Sequence, residues 1–142
     1  MELSAKTIEI VKATAPIVAA NAEAITSTMY KIMFTNHPEI KELFKDAKPD
    51  QHKKLAAAVG AYAANIDNLI VLEKAIEKMV STHILKNVQP EHYPIVGISI
   101  LEAIKKVLGD AVTLEVLDAW KEAYFFLAHV LIEQEKLAYA DV

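Results

Sequence analysis

Three glycines among 142 residues constrain the folding of this chain more than any other feature. Tight hairpin turns need residues that tolerate positive φ, and glycine is the main one. An average chain gives about 7% of its positions to glycine. Here Gly60, Gly97 and Gly109 stand far apart. Alanine, the strongest helix former, fills 22 positions. A chain so poor in turn residues and so rich in helix formers is expected to be all-α.

The apolar residues recur at helical spacing. Ser4 precedes Ile8, Val11, Ala15 and Val18, which predicts a helix over 4–20 with a possible bend at Pro16. A second run over 22–35 carries Ile25, Met29, Ile32 and Met33 on one side, with Tyr30, Met33 and Phe34 on an adjoining face. Asn36-His37-Pro38 stops it, because the residue before proline avoids the α region. Pro38 fits the first turn of a short third helix through Leu43 and Phe44. Pro49-Asp50 opens a helix to about Asn65, with Gln51, Leu55, Ala58, Val59 and Tyr62 on one face. Leu72, Ala75, Ile76, Met79, Val80 and His83 form the next stripe, ending near Lys86-Asn87. Residues 89–94 are a loop and helix start, and Ile95 to Leu108 continue that helix. The last run carries Leu117, Trp120, Tyr124, Leu127, Leu131 and finally Glu135. About six main helices in one domain over residues 1–142 is the expected organisation, with no internal repeat.

Several functions drop out. Cysteine is absent, which removes disulfides, thiolate metal sites and a thiol nucleophile. All 15 basic residues are lysine, and the net charge is −4. Nucleic-acid binding is therefore not expected. No apolar run reaches membrane-spanning length, so no transmembrane segment is expected. The first residues, with Glu2, Lys6 and Glu9, lack the layout of a secretory signal, and the expected location is cytoplasmic. Scattered glycines make no phosphate-binding loop, and no serine sits in a nucleophile elbow.

Candidate chemistry lies where polar residues fall on apolar stripes. His83 follows Met79 and Val80, and reads either as a hydrogen-bonded structural histidine or as a ligand. No HExxH or Cys/His cluster supports a protein-only zinc site, whereas haem iron needs one protein ligand. Glu135 lies one turn beyond Leu131 and is either helix-end surface or a buried carboxylate with a dedicated donor. Tyr30 is a polar-tipped aromatic on the second helical segment and Gln51 faces inward at the start of the fourth; packing with a rim hydroxyl and an exposed first-turn side chain are the ordinary readings, and neither residue is specific alone. His37 and His92 adjoin prolines and read as surface or capping residues. His52 should be largely exposed and His129 should lie at a helix edge.

The residues then carry a resemblance. Residues 7–16, then Tyr30-Lys31-Ile32-Met33-Phe34 and His37-Pro38-Glu39, resemble the opening of bacterial globins. His92-Tyr93-Pro94-Ile95-Val96-Gly97 is close to diagnostic for that group. So is Leu117-Asp118-Ala119-Trp120 followed by Glu122-Ala123-Tyr124. The chain is similar, over nearly its whole length, to single-domain bacterial haemoglobins and to the globin domain of flavohaemoglobins.

The resemblance implies a globin fold around a b-type haem, iron protoporphyrin IX. His83 matches the proximal iron ligand, and Tyr93 and Glu135 match the residues that contact it. Phe44, Leu55, Tyr93 and Val96 match positions against the haem. Tyr30 and Gln51 match the distal pair beside the bound ligand. The implied function is reversible O2 binding at ferrous iron. The alternative is nitric oxide dioxygenation, which converts O2 and NO to nitrate, oxidises the iron and needs an electron donor. Flavohaemoglobins fuse that donor as flavin and nicotinamide domains; 142 residues leave no room for them, so a separate reductase is expected. The chain is expected to be a monomer or homodimer.

Some positions depart from the family pattern. Thr82 replaces a lysine that commonly precedes the proximal histidine and can pair with a haem propionate. With no arginine, propionates must rely on Lys86, another lysine, or tyrosine and histidine donors. His52 stands where proline usually follows Gln51; a one-residue shift there would turn His52 toward the haem. Phe125 replaces a residue that is commonly small.

Overall fold

Ser4 starts the fold by accepting a hydrogen bond from the Thr7 N–H through its side-chain oxygen, satisfying one of the free donors of a helix start. The helix it caps, α1, runs Ala5–Ala20. Then follow α2 (Ala22–Asn36), a 3₁₀ segment (Pro38–Phe44), α3 (Gln51–Ala64), a 3₁₀ turn (Leu69–Leu72), α4 (Glu73–Leu85), α5 (His92–Leu108), a short 3₁₀ turn (Gly109–Ala111) and α6 (Leu114–Ala140). This computed structural model describes residues 3–44, 51–85 and 88–140, with the side chains of Leu43, Gln51 and Ala140 outside that set. No strand occurs among the described residues, as the scarcity of glycine predicts.

The predicted helices match the observed ones closely, except that α6 is longer than expected at 27 residues. At 1.5 Å per residue it is roughly 40 Å long. That length lets one helix serve two cores. Its first half places Ala119, Trp120 and Ala123 in the main core with Val11, Val18, Met29, Met33 and Ile104. Its second half places Ala128 and Leu131 in a smaller core with Val80 and Tyr93. Buried side chains of Val, Leu, Ile and Met contribute about 1.5–3 kcal/mol each, so these clusters supply most of the driving force.

Polar ties fix the register between helices. Thr7 donates to Glu122 at 2.7 Å, and the Ser4 N–H donates to the same carboxylate at 3.2 Å. Trp120 Nε1–H donates to Thr14 Oγ1 at 2.8 Å, again joining α6 to α1. The fully buried Thr26 hydroxyl donates to the His52 carbonyl at 2.9 Å and seats the start of α3 on α2. Gly97 allows α5 and α6 to approach closely: a Cβ there would lie 2.6 Å from Tyr124 Cε2. Gly109 ends α5 at φ +53°, a left-handed value that favours glycine.

The α4 helix packs chiefly on α6 and on the 3₁₀ turn before it. It stands off from α2 and α3, and the gap is the functional slot.

Candidate functional site: an imidazole facing an apolar slot

The α4 stripe buries Val80 against Tyr93, Ala128 and Leu131. One turn on, that same face carries His83. Its Nδ1 lies 2.9 Å from Glu135 Oε2 on α6 and 2.9 Å from the Tyr93 hydroxyl on α5. The Tyr93 hydroxyl in turn donates to the Glu135 carboxylate, at 2.7 and 2.8 Å from its two oxygens. Glu135 is only 4% exposed. A buried carboxylate needs donors around it. Tyr93 has one hydroxyl hydrogen and gives it to Glu135. A bare Nδ1 would set a lone pair against the carboxylate at 2.9 Å, so Nδ1 carries the ring hydrogen. The lone pair of the neutral imidazole is therefore on Nε2, the nitrogen left for the slot that His83 lines. Burial pushes the Tyr93 hydroxyl far above its ordinary value, and its bond to Glu135 adds to the effect. It stays a donor at any working pH.

The slot has a volume of about 260 Å³ and lies between α4 and the rest of the bundle. Its α4 side carries Met79, Thr82 and His83. Tyr30, Phe44, Leu55 and Val59 line it from α2, the Pro38–Phe44 segment and α3, while Val96 and Ile100 line it from α5. Tyr30 meets Phe44 edge-on, with ring centroids 5.3 Å apart at 78°. Phe34 completes that aromatic cluster, 5.6 Å from Phe44. Such pairs add about 0.5–1.5 kcal/mol each beyond area burial and hold the wall rigid.

Six expected site residues thus line one slot: Tyr30, Phe44, Leu55, His83, Tyr93 and Val96. Glu135 stands behind His83, and it is the buried carboxylate of the two readings left open by the sequence. Gln51 opens α3 one turn before Leu55, but its side chain lies outside the described residues, as does Lys86. His52 is half-buried rather than exposed and is not among the slot-lining residues. His129 is exposed on α6, as expected.

His92 meets one of its two expected readings and departs from the other: its Nδ1 caps the Gln89 N–H, but it is not a surface residue. Expected at the surface or in a cap, it is the first residue of α5, half-buried, and it lines the slot. The signal was its position one turn before Val96. Tyr62 and Tyr124 also reach the slot, but their hydroxyls are committed to the carbonyls of Ala123 at 2.8 Å and Tyr93 at 2.6 Å. Burial pushes both hydroxyls far up.

Among the described residues no group of three or more His, Asp or Glu side chains could hold a metal alone. One oriented imidazole over an apolar slot instead fits an iron whose other ligands come from a flat cofactor. Fold and site together define an all-α protein with an apolar slot into which α4 presents His83. The Globin family model matches residues 27–131, and the chain belongs to the globin family.

Its relatives span two architectures. An uncharacterized globin-like protein of Aquifex aeolicus is 46% identical, covering 98% of this chain and 99% of that protein. A flavohemoprotein of Rhodopirellula baltica is 47% identical over 98% of this chain, which spans only 35% of the longer protein. A solved structure of an engineered carbene transferase from Rhodothermus marinus, itself provisionally called a nitric oxide dioxygenase, superposes with a TM-score of 0.93 at 44% identity. That match covers 98% of this chain and 97% of the solved one.

Proposed function

We propose that this globin holds haem b in the slot through His83 Nε2 and reversibly binds O2 on the opposite, Tyr30 side. The observation that carries this reading is that His83 Nδ1 lies 2.9 Å from both the Glu135 carboxylate and the Tyr93 hydroxyl, which leaves Nε2 for the slot. Ferrous haem, when bound, supplies an open coordination position for a diatomic ligand. His83 holds the iron and Glu135 makes its ring a stronger donor. Tyr30 is in place on the slot wall to direct its hydroxyl at a ligand bearing partial negative charge. Phe44, Leu55 and Val96 keep water out. Absorption spectra of the ferric, ferrous and O2-exposed protein test the reading. A Soret band that shifts reversibly with O2 is expected, and His83→Ala should abolish stable haem retention. Wild-type haem content in that variant would refute the assignment.

A second reading, nitric oxide dioxygenation, is favoured by the same proximal pair. A ring made more anionic by a buried carboxylate stabilises oxidised states, which suits turnover better than carriage alone. The flavohemoproteins and the provisionally named dioxygenase among the relatives support it. This activity requires an electron donor, which a flavin reductase would provide. Sustained NO consumption with a reductase present is the expected result. Loss of activity after one turnover, despite efficient reduction, would sink this reading.

A further inference from the structure

Among the described residues, several polar groups on the slot have named partners. Tyr62, Tyr93 and Tyr124 give their hydroxyl hydrogens to Ala123, Glu135 and Tyr93 respectively. Trp120 gives its N–H to Thr14. Tyr30 lies in the aromatic wall with Phe34 and Phe44. No lysine is among the described residues that line the slot, and the chain has no arginine. Among the described residues on the slot, Thr82, near the end of α4, and His92, at the start of α5, are polar side chains that a carboxylate-bearing ligand would meet.

His92 is prepared for that task. Its Nδ1 accepts the backbone N–H of Gln89 at 2.9 Å. An accepting Nδ1 has no hydrogen in the neutral ring, so the hydrogen is on Nε2. His92 is thus the opposite tautomer of His83: its ring hydrogen is on Nε2, where His83 carries its own on Nδ1. His92 is half-buried and lines the slot.

Resting on the haem reading above, we infer that His92 anchors a haem propionate through Nε2–H at the rim where α4 meets α5. The backbone bond from Gln89 fixes both the ring orientation and the tautomer before the cofactor arrives. His92 is a positioning residue, because it touches the carboxylate edge and not the iron.

The test compares haem with haem dimethyl ester, whose propionates carry no charge and accept hydrogen bonds weakly. Each is loaded into wild type, His92→Leu and His92→Gln, and its release to excess apomyoglobin is followed at the Soret band. His92→Leu should release free-acid haem about tenfold faster than wild type, the scale of one lost charge-assisted hydrogen bond at a partly exposed site. The dimethyl ester should leave wild type and His92→Leu at the same rate. His92→Gln, which keeps an acceptor for Gln89 and a donor for the propionate, should recover most of the retention. Equal acceleration for both cofactors would overturn the inference by reducing His92 to packing, and wild-type release of free-acid haem by His92→Leu would also overturn it. A wild-type chain that takes up neither cofactor would overturn the haem reading itself, and shows as a missing Soret band before any variant is compared.

Discussion

Glu135→Gln tests the proximal chemistry with little change in shape. The amide oxygen can still accept the His83 Nδ1–H, and the amide nitrogen can donate to the Tyr93 oxygen. What is lost is the negative charge 2.9 Å from the ring nitrogen. A hydrogen bond to a charged group contributes about 1.5–3 kcal/mol, against about 0.5–1.5 for a neutral one. The difference, about 1–1.5 kcal/mol, favours the oxidised iron, because a more anionic imidazole stabilises the higher positive charge. For a one-electron couple 1.4 kcal/mol corresponds to about 59 mV. Only the part of that difference that changes on oxidation moves the potential, so the ferric/ferrous potential of the haem-loaded protein should rise by up to about 60 mV in the variant. A spectroelectrochemical titration reads this directly, and near-equal haem content in the two proteins serves as the control. A potential that stays in place or falls, with the haem retained, would refute the claim that Glu135 acts on the iron through His83.

Tyr30→Phe should speed O2 dissociation about 10- to 100-fold, the equivalent of one charge-assisted hydrogen bond; stopped-flow displacement by CO measures it, and an unchanged rate would remove Tyr30 as the distal donor. Gly97→Ala should destabilise the fold by about 1–3 kcal/mol through overpacking, since the new Cβ would lie 2.6 Å from a Tyr124 ring that is tied to the Tyr93 carbonyl; an unaltered urea midpoint would contradict the close approach of α5 and α6. On the alkaline side, burial raises the hydroxyls of Tyr62, Tyr93 and Tyr124 above the ordinary value of 10.0. Their stabilisation is complete below that value and declines as pH rises past it toward the folded values, so these hydroxyls should ionise only as the chain unfolds. Absorbance at 295 nm followed beside circular dichroism checks this, and reversible ionisation of all five tyrosines with the helices intact would refute it. On the acid side, the bond from Thr7, followed by that from the Ser4 N–H, holds the Glu122 carboxyl below its ordinary 4.5. Its contribution is present above 4.5 and lost as pH falls through the lower folded value. Glu122→Gln should cost about 0.5–1 kcal/mol at neutral pH and nothing at pH values below the folded one; a deficit that persists there in urea titrations would show that charge is not the cause.

Glu135 marks the limit of what the linear pattern could say. Its place one turn past Leu131 allowed both a helix-end surface residue and a buried carboxylate, because periodicity specifies a face and not what covers it. The answer came from Tyr93 and His83, which reach it from two other helices. His92 shows the opposite case. Proline and loop signals around it point to a surface or capping residue, and its Nδ1 does cap the Gln89 N–H, but its spacing to Val96 also turns it to the slot. The fold begins α5 one residue ahead of Tyr93, so His92 lines the slot together with the residues one position and one turn further on.

The scarcity of glycine, the alanine-rich helical periodicity and the caps are local properties, so the sequence by itself determined an all-α chain and most of its helix boundaries. It also determined which residues were chemically available: no thiolate, no guanidinium and five imidazoles. Tertiary structure decided which of those imidazoles could act. A histidine's tautomer depends on the partner its other nitrogen meets, and that partner lies 52 residues away for His83 and 3 residues away for His92. The packing of α4, α5 and α6 brings Tyr93 and Glu135 onto His83 Nδ1, while the turn before α5 sets the Gln89 N–H on His92 Nδ1.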